Sequence, residues 1–185
     1  MGDLYVALIH HPVVDRNGAI VASAVTSLDI HDIARAARTY EARGVFVVHP
    51  VEEQRKFAAS VVDHWKFDFG RAHDSRRREA LDRVRITIDL DAAIVEAERL
   101  SGTRPLIVHT SARTKGGTSY PELRARMEAS DAPPIMLLIG TGFGMAPAVA
   151  ERADIILAPV LGPGDYNHLS VRSAAGIILD RLRGH

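Results

Sequence analysis

The chain has 185 residues, 46% hydrophobic and 25% charged, an ordinary balance for a globular protein with room for a sizeable core. Lysine plus arginine equals aspartate plus glutamate at 23 each, so no global field draws the chain to nucleic acid; such a surface must be a local patch. The absence of cysteine excludes disulfides, a thiolate nucleophile and a thiolate metal site. Met1-Gly2-Asp3-Leu4 has no basic leader, Val6 stands where a myristoylation signal needs Ser or Thr, and no apolar run nears the ~20 residues of a membrane span. The expectation is a soluble cytoplasmic protein.

Leu4–Ile9 is a continuous apolar run, the pattern of a central buried strand, and Asp15-Arg16-Asn17-Gly18 is turn chemistry. Thr26 or Ser27 caps a predicted helix over 29–43, with Ile30, Ile33, Ala34, Ala37 and Tyr40 at helical spacing and Gly44 as its stop. Val45–Val48 reads as a second strand. A helix over 52–66 follows, with Val51, Phe57, Val61, Val62 and Trp65 on its apolar side. Residues 67–83 are the most polar stretch. Val84–Ile88 alternates like a half-exposed strand, and Asp89 or Asp91 opens a helix to about 100. Pro105–Val108 is a fourth strand, and Ser119-Tyr120-Pro121-Glu122 is a helix start with proline in the first turn. Ile135–Ile139 and Asp154–Ala158 read as buried parallel strands, and a last helix covers about 168–183. Strands alternating with helices predict an α/β fold: a mostly parallel sheet with helices on both faces, in one domain spanning 1–185.

Three polar or glycine-rich loops leave predicted strands at one sheet edge, where open α/β sheets place ligands: 109–114, 139–144 and 158–170. Gly140, Gly142 and Gly144 either bring backbone close to a ligand or simply make a tight turn into a helix. A dinucleotide fingerprint fits poorly. Met145 occupies the place of its last glycine, the run follows the fifth strand rather than the first, and Ala158, not an acid, ends the next strand. Asn167 or His168 either faces a ligand or caps the last helix, and Arg172 either joins the site or faces solvent. His10-His11 is the nearest approach to a metal pair. Adjacent side chains at a strand end point to opposite sides, so no metal is expected.

The runs IGTGFGM (139–145) and ADIILAPVLGPGDYNHLSVRSAAGIILDRL (153–182) resemble the carboxyl-terminal ligand region of SPOUT superfamily RNA methyltransferases, especially the small single-domain bacterial branch. The resemblance implies a carboxyl-terminal trefoil knot, a homodimer, S-adenosylmethionine as cofactor and tRNA or rRNA as substrate. It assigns the cofactor to Thr110, Ser111 and Ala112 in the first loop and to Ile139, Gly140, Thr141, Gly142 and Gly144 in the second. From the third it takes Ala158, Pro159, Val160, Gly162, His168, Leu169 and Ser170. Ribose-methylating members carry Asn and, six positions later, Arg on an early helix. Here that spacing joins Asp29 to Arg35, so Arg35 is either catalytic or a solvent-facing helix residue.

Asp165 and His168 are the candidate bases for removing the acceptor's proton; the alternative is that they only fix a turn. Arg71, Arg76, Arg77, Arg78, Arg83 and Arg85, with Arg113 and Lys115, offer phosphate contacts or a solvated face. Two other functional classes compete with the methyltransferase: a non-catalytic RNA-binding or assembly module of the same fold, and a Rossmann-like nucleotide-binding enzyme.

Overall fold

A computed structural model describes residues 1–67 and 75–185. Its main sheet has six parallel strands: β1 (Leu4–Ile9), β4 (Gly44–Val48), β5 (Val84–Thr87), β6 (Leu106–His109), β7 (Ile135–Gly140) and β8 (Ile155–Ile156). Their spatial order is β5-β4-β1-β7-β6-β8. The apolar runs of β1, β4 and β7 are unbroken because both faces of these central strands are covered. A two-stranded ribbon, β2 (Val13–Val14) and β3 (Ile20–Val21), turns at Asp15, whose carboxylate accepts from the backbone of Asn17 and Ala19.

Helices α1 (Ser27–Thr39), α2 (Glu52–Lys66), α3 (Ser75–Leu81), α5 (Tyr120–Glu128) and α7 (Val171–Arg183) bury their apolar stripes on one face, against Leu4, Val6, Leu8, Val45, Val47 and Leu137. On the other face α4 (Leu90–Ser101) and α6 (Pro147–Ala150) cover Tyr5, Ala7, Ile9, Phe46, Met136 and Leu138. The expected doubly covered α/β sheet is therefore present.

Several helix boundaries follow directly from side-chain capping. Thr26 accepts from the Asp29 amide, Asp89 from Ala92, and Ser119 forms a reciprocal capping box with Glu122. Other expectations need correction. Gly44 does not stop α1, which ends at Thr39; it is the first residue of β4, pressed against the Tyr5 ring. Ser170, not Asn167 or His168, caps α7, so that helix begins at Val171. Val51 and Phe57 are exposed, whereas α2 buries Val62 as expected, together with Ala58, and Val61 and Trp65 pack partly buried against the core. α3 was not anticipated in the polar stretch, and α6 adds a short turn after the glycine run.

β8 is held on both sides. The Asp154 and Leu157 amides bond to Ile107 and His109 of β6, while the Thr118 amide bonds to Ile156 and the Ala158 amide to Thr118. Thus β8 and its exit lie between β6 and Thr118 before the chain continues into α7.

Candidate active site

The strand order reverses beside β1: β4 and β5 lie to one side, β7, β6 and β8 to the other. Such a switch point leaves a crevice at the carboxyl ends of the strands. Here the crevice is a cavity of about 510 Å³ in which all three predicted loops meet. The first loop contributes Thr110, Ser111, Ala112 and Arg113; the second contributes Ile139 and the whole run Gly140–Met145. The third contributes Ala158, Pro159, Val160, His168, Leu169 and Ser170, with Asn167.

The walls are tied to one another. Thr110 Oγ1 donates to the Leu138 carbonyl at 2.7 Å, and Asn167 Nδ2 donates to the Ala112 carbonyl at 3.2 Å. The ribbon braces the glycine run: Val14 N donates to Gly144 O at 2.9 Å and Phe143 N to Val14 O at 3.2 Å. Gly142 (φ +59°) and Gly144 (φ +110°) have backbone conformations that L side chains rarely adopt. A Cβ on Gly142 would stand 3.4 Å from the Val14 carbonyl, toward the ribbon. A side chain there disturbs the site by backbone strain, not by filling the ligand space directly.

Three residues from the sequence reading are not at the cavity. Gly162 and Asp165 belong to the third loop but lie exposed outside the lining. Arg35 is exposed on α1 and faces a second cavity of about 670 Å³, formed with Arg38, Thr39, Arg76, Arg77, Glu79 and Ala80. Helix geometry explains the separation, since six residues rotate about 600°, leaving Asp29 and Arg35 about 120° apart around the axis. Of the three candidate catalytic residues, only His168 reaches the cavity.

Other lining residues came from parts of the chain that the sequence reading had not joined to the loops: Ser23, Ala24, Asp29, Tyr120, Val171, Ala174 and Ile178. Ser23 leads inward to a buried polar chain. Its hydroxyl contacts His10 Nδ1 at 2.9 Å and also Thr141 Oγ1, which donates to the Ile9 carbonyl at 3.0 Å. His10 is fully buried, and burial first, then the neighbouring His49, lowers its pKa to about 4. Burial lowers His49 and His109 in the same direction. Arg172 does not simply face solvent: its Nε lies 3.6 Å from Asp29 Oδ1 and 3.8 Å from Asp32 Oδ2.

Among the described residues no cluster of three metal-ligating side chains occurs, and no helix is long and apolar enough to cross a membrane. The arginine-rich stretch is only partly available for phosphates. Arg83 bonds to the Ala42 carbonyl, Arg85 Nε lies 3.5 Å from Glu96, and Arg78 Nε lies 3.8 Å from Asp82. Arg71 lies outside the described residues. Arg77 sits over the Trp65 ring at 4.6 Å.

The profile of one protein family, described as SAM-dependent RNA methyltransferase, matches residues 3–184. The chain belongs to the SAM-dependent RNA methyltransferase family. This family member is 40% identical over 181 residues to an uncharacterized protein of Aquifex aeolicus, covering 97% of this chain and 88% of that one. It is 42% identical over 182 residues to a tRNA (guanine-N(1)-)-methyltransferase of Nitratidesulfovibrio vulgaris, but spans only 42% of that protein's length. The fold also matches the SpoU methyltransferase AviRb from Streptomyces viridochromogenes, crystallised with the cofactor AdoMet. The TM-score is 0.54 at 19% identity, over 97% of this chain and 56% of that one. The methyltransferase has the α/β fold of the SPOUT group, with S-adenosylmethionine as the family's cofactor and RNA as its substrate class.

Proposed function

We propose that the cavity between the three loops holds S-adenosylmethionine and that the chain methylates a structured RNA, tRNA or rRNA. The convergence of 110–113, 139–145 and 158–170 on one cavity of about 510 Å³ carries this reading. Its size suits a small-molecule ligand. The backbone-rich lining suits an adenosyl group, with main-chain N–H and C=O for the base edge and Ile139, Val160 and Leu169 for its faces. Thr110, Ser111, Ala112, Gly140, Thr141, Gly142, Gly144, Ala158, Pro159, His168 and Ser170 complete the proposed binding set.

When bound, S-adenosylmethionine supplies an electrophilic methyl carbon. The protein's tasks are to align the acceptor with it and to remove the acceptor's proton. The tRNA (guanine-N(1)-) activity of the Nitratidesulfovibrio relative makes tRNA the first substrate to test. Isothermal calorimetry with S-adenosylmethionine, its demethylated product S-adenosylhomocysteine, and NAD tests the cavity. Micromolar affinity for the first two alone supports the reading, and preference for NAD overturns it. Transfer of labelled methyl to RNA pools from a deletion strain then separates an enzyme from an assembly module.

The second cavity supports an RNA surface in which Arg35, Arg76 and Arg77 face phosphates. Arg35→Ala is expected to leave cofactor affinity unchanged and to weaken RNA binding several-fold. It should also make the salt slope of binding shallower by about one unit. Filter binding at several salt concentrations reads both, and an unchanged slope returns Arg35 to the ordinary surface.

Phe143, Leu161, Tyr166 and Leu169 are exposed large apolar residues near the cavity mouth. Such a patch supports a homodimer that covers this rim, which analytical ultracentrifugation would detect. Continuous packing on both faces of the sheet supports reading 1–185 as one domain, and a cytoplasmic setting fits an RNA substrate.

A further inference from the structure

Asp29 is the only carboxylate among the described residues that line the cavity. We propose that Asp29 is the catalytic base that receives the acceptor's proton, a role that rests on the methyl-transfer reading above.

Asp29 stands in the first turn of α1, opposite the three loops. Its amide donates to Thr26 Oγ1 at 3.2 Å, and the Thr26 hydroxyl donates in turn to Asp29 Oδ2 at 2.7 Å. This reciprocal cap fixes the side-chain rotamer. It also departs from the usual capping box, in which the carboxylate accepts from the cap's own backbone amide. On the other oxygen, Oδ1, Arg172 Nε of α7 stands at 3.6 Å, beyond hydrogen-bonding distance. The side chain is only 14% exposed. A carboxylate offers about four acceptor positions, and a mostly buried one ordinarily fills them. Among the described residues one hydrogen bond reaches this carboxylate, so acceptor capacity is left over at the cavity wall.

The other titratable groups of the lining fit the task less well. Tyr120 is half-buried, and desolvation pushes its hydroxyl above the usual phenol range, away from use as a base. His168 is exposed and its ring stands edge-on to Tyr166 at 6.4 Å. Arg113 carries no acceptor.

The step balances with groups already named. A lone pair on the acceptor, a ring nitrogen or ribose oxygen bearing hydrogen, forms a bond to the methyl carbon. The carbon–sulfur pair stays on sulfur, which loses its positive charge. The hydrogen leaves the acceptor as a proton, goes to the Asp29 carboxylate and passes on to water.

Asp29→Asn tests this because it preserves size and an oxygen for the Thr26 hydroxyl while removing the base. With an RNA pool that the unaltered protein methylates, kcat is expected to fall at least about 100-fold. Affinity for S-adenosylhomocysteine and the melting temperature stay close to those of the unaltered protein. Arg172, Asp32, His10 and, across the cavity, His168 and Arg113 share this electrostatic surrounding, so Asp32→Asn is the control. Asp32 contacts the same arginine but lies outside the cavity lining, and its variant keeps its turnover. Digestion of the labelled product to nucleosides distinguishes a base nitrogen from a ribose oxygen. Turnover of Asp29→Asn within threefold of the unaltered protein overturns the proposal and leaves Asp29 as a helix cap. An unaltered protein that neither binds S-adenosylhomocysteine nor methylates any RNA overturns the functional reading itself.

Discussion

Gly117→Val is expected to destabilise the protein by about 3–5 kcal/mol, enough to leave little folded chain at 37 °C. Two costs combine at this position. The backbone sits at φ +108°, where an L side chain is strained whatever the surrounding space. A Cβ would also stand 2.7 Å from the Ile156 carbonyl oxygen, 3.0 Å from the Ala158 nitrogen and 3.1 Å from the Leu157 carbonyl carbon. These atoms belong to β8 and its exit, held between β6 and Thr118, and backbone in a paired strand has little room to retreat. Gly162→Ala is the matching control, since its Cβ meets nothing within 4 Å. Chemical denaturation of both variants should show a loss confined to Gly117→Val. Equal midpoints would mean that Gly117 does not pack tightly against the strand.

Acidification from pH 6.5 to 4 is expected to cost about 3 kcal/mol through His10 alone. The folded state holds this imidazole neutral down to about pH 4, whereas the unfolded chain protonates it near the ordinary 6.5. Between those values the unfolded state binds the extra proton. The stability is therefore complete above 6.5 and is lost as pH falls through the window. His49 and His109 are depressed in the same direction and add to the loss. Glu96 and Glu122 also have lowered values, but their contribution disappears only below the carboxylate range near 4.5. The interval from 6.5 to 5 thus isolates the histidines. Urea midpoints measured across it should fall for the unaltered protein and fall less steeply for His10→Asn. Parallel slopes would show that the folded protein accommodates a charged His10.

The central strands were legible because burial on both faces leaves continuous apolar runs such as Leu4–Ile9 and Ile135–Ile139. Capping chemistry at Thr26, Asp89 and Ser119 placed three helix starts within a residue or two. α3 was hidden because Ser75–Leu81 carries arginines and only Ala80 and Leu81 are buried, too few for a periodicity. The Asp154–Ala158 run promised a longer strand than β8, whose pairing is divided between β6 and Thr118. The loop walls of the cavity could be read because each directly follows a strand of the sheet. Ser23, Asp29 and Tyr120 could not, since only tertiary folding carries them to those loops. Arg35 lies apart from the three loops for a simpler reason: spacing along a helix fixes angle as well as distance, and its angle takes it to the second, arginine-lined cavity.

The connection 110–117 is moored at one end to β6 and at the other, through Thr118, to β8 and its exit. A segment tethered this way has little slack, and the glycine run is likewise braced by the β2–β3 ribbon. Loss of chain freedom on enclosing a guest therefore falls mainly on the exposed stretch 161–166. Residence time in the crevice is then expected to respond most to that stretch, so shortening or stiffening it should alter escape while leaving the anchored walls in place.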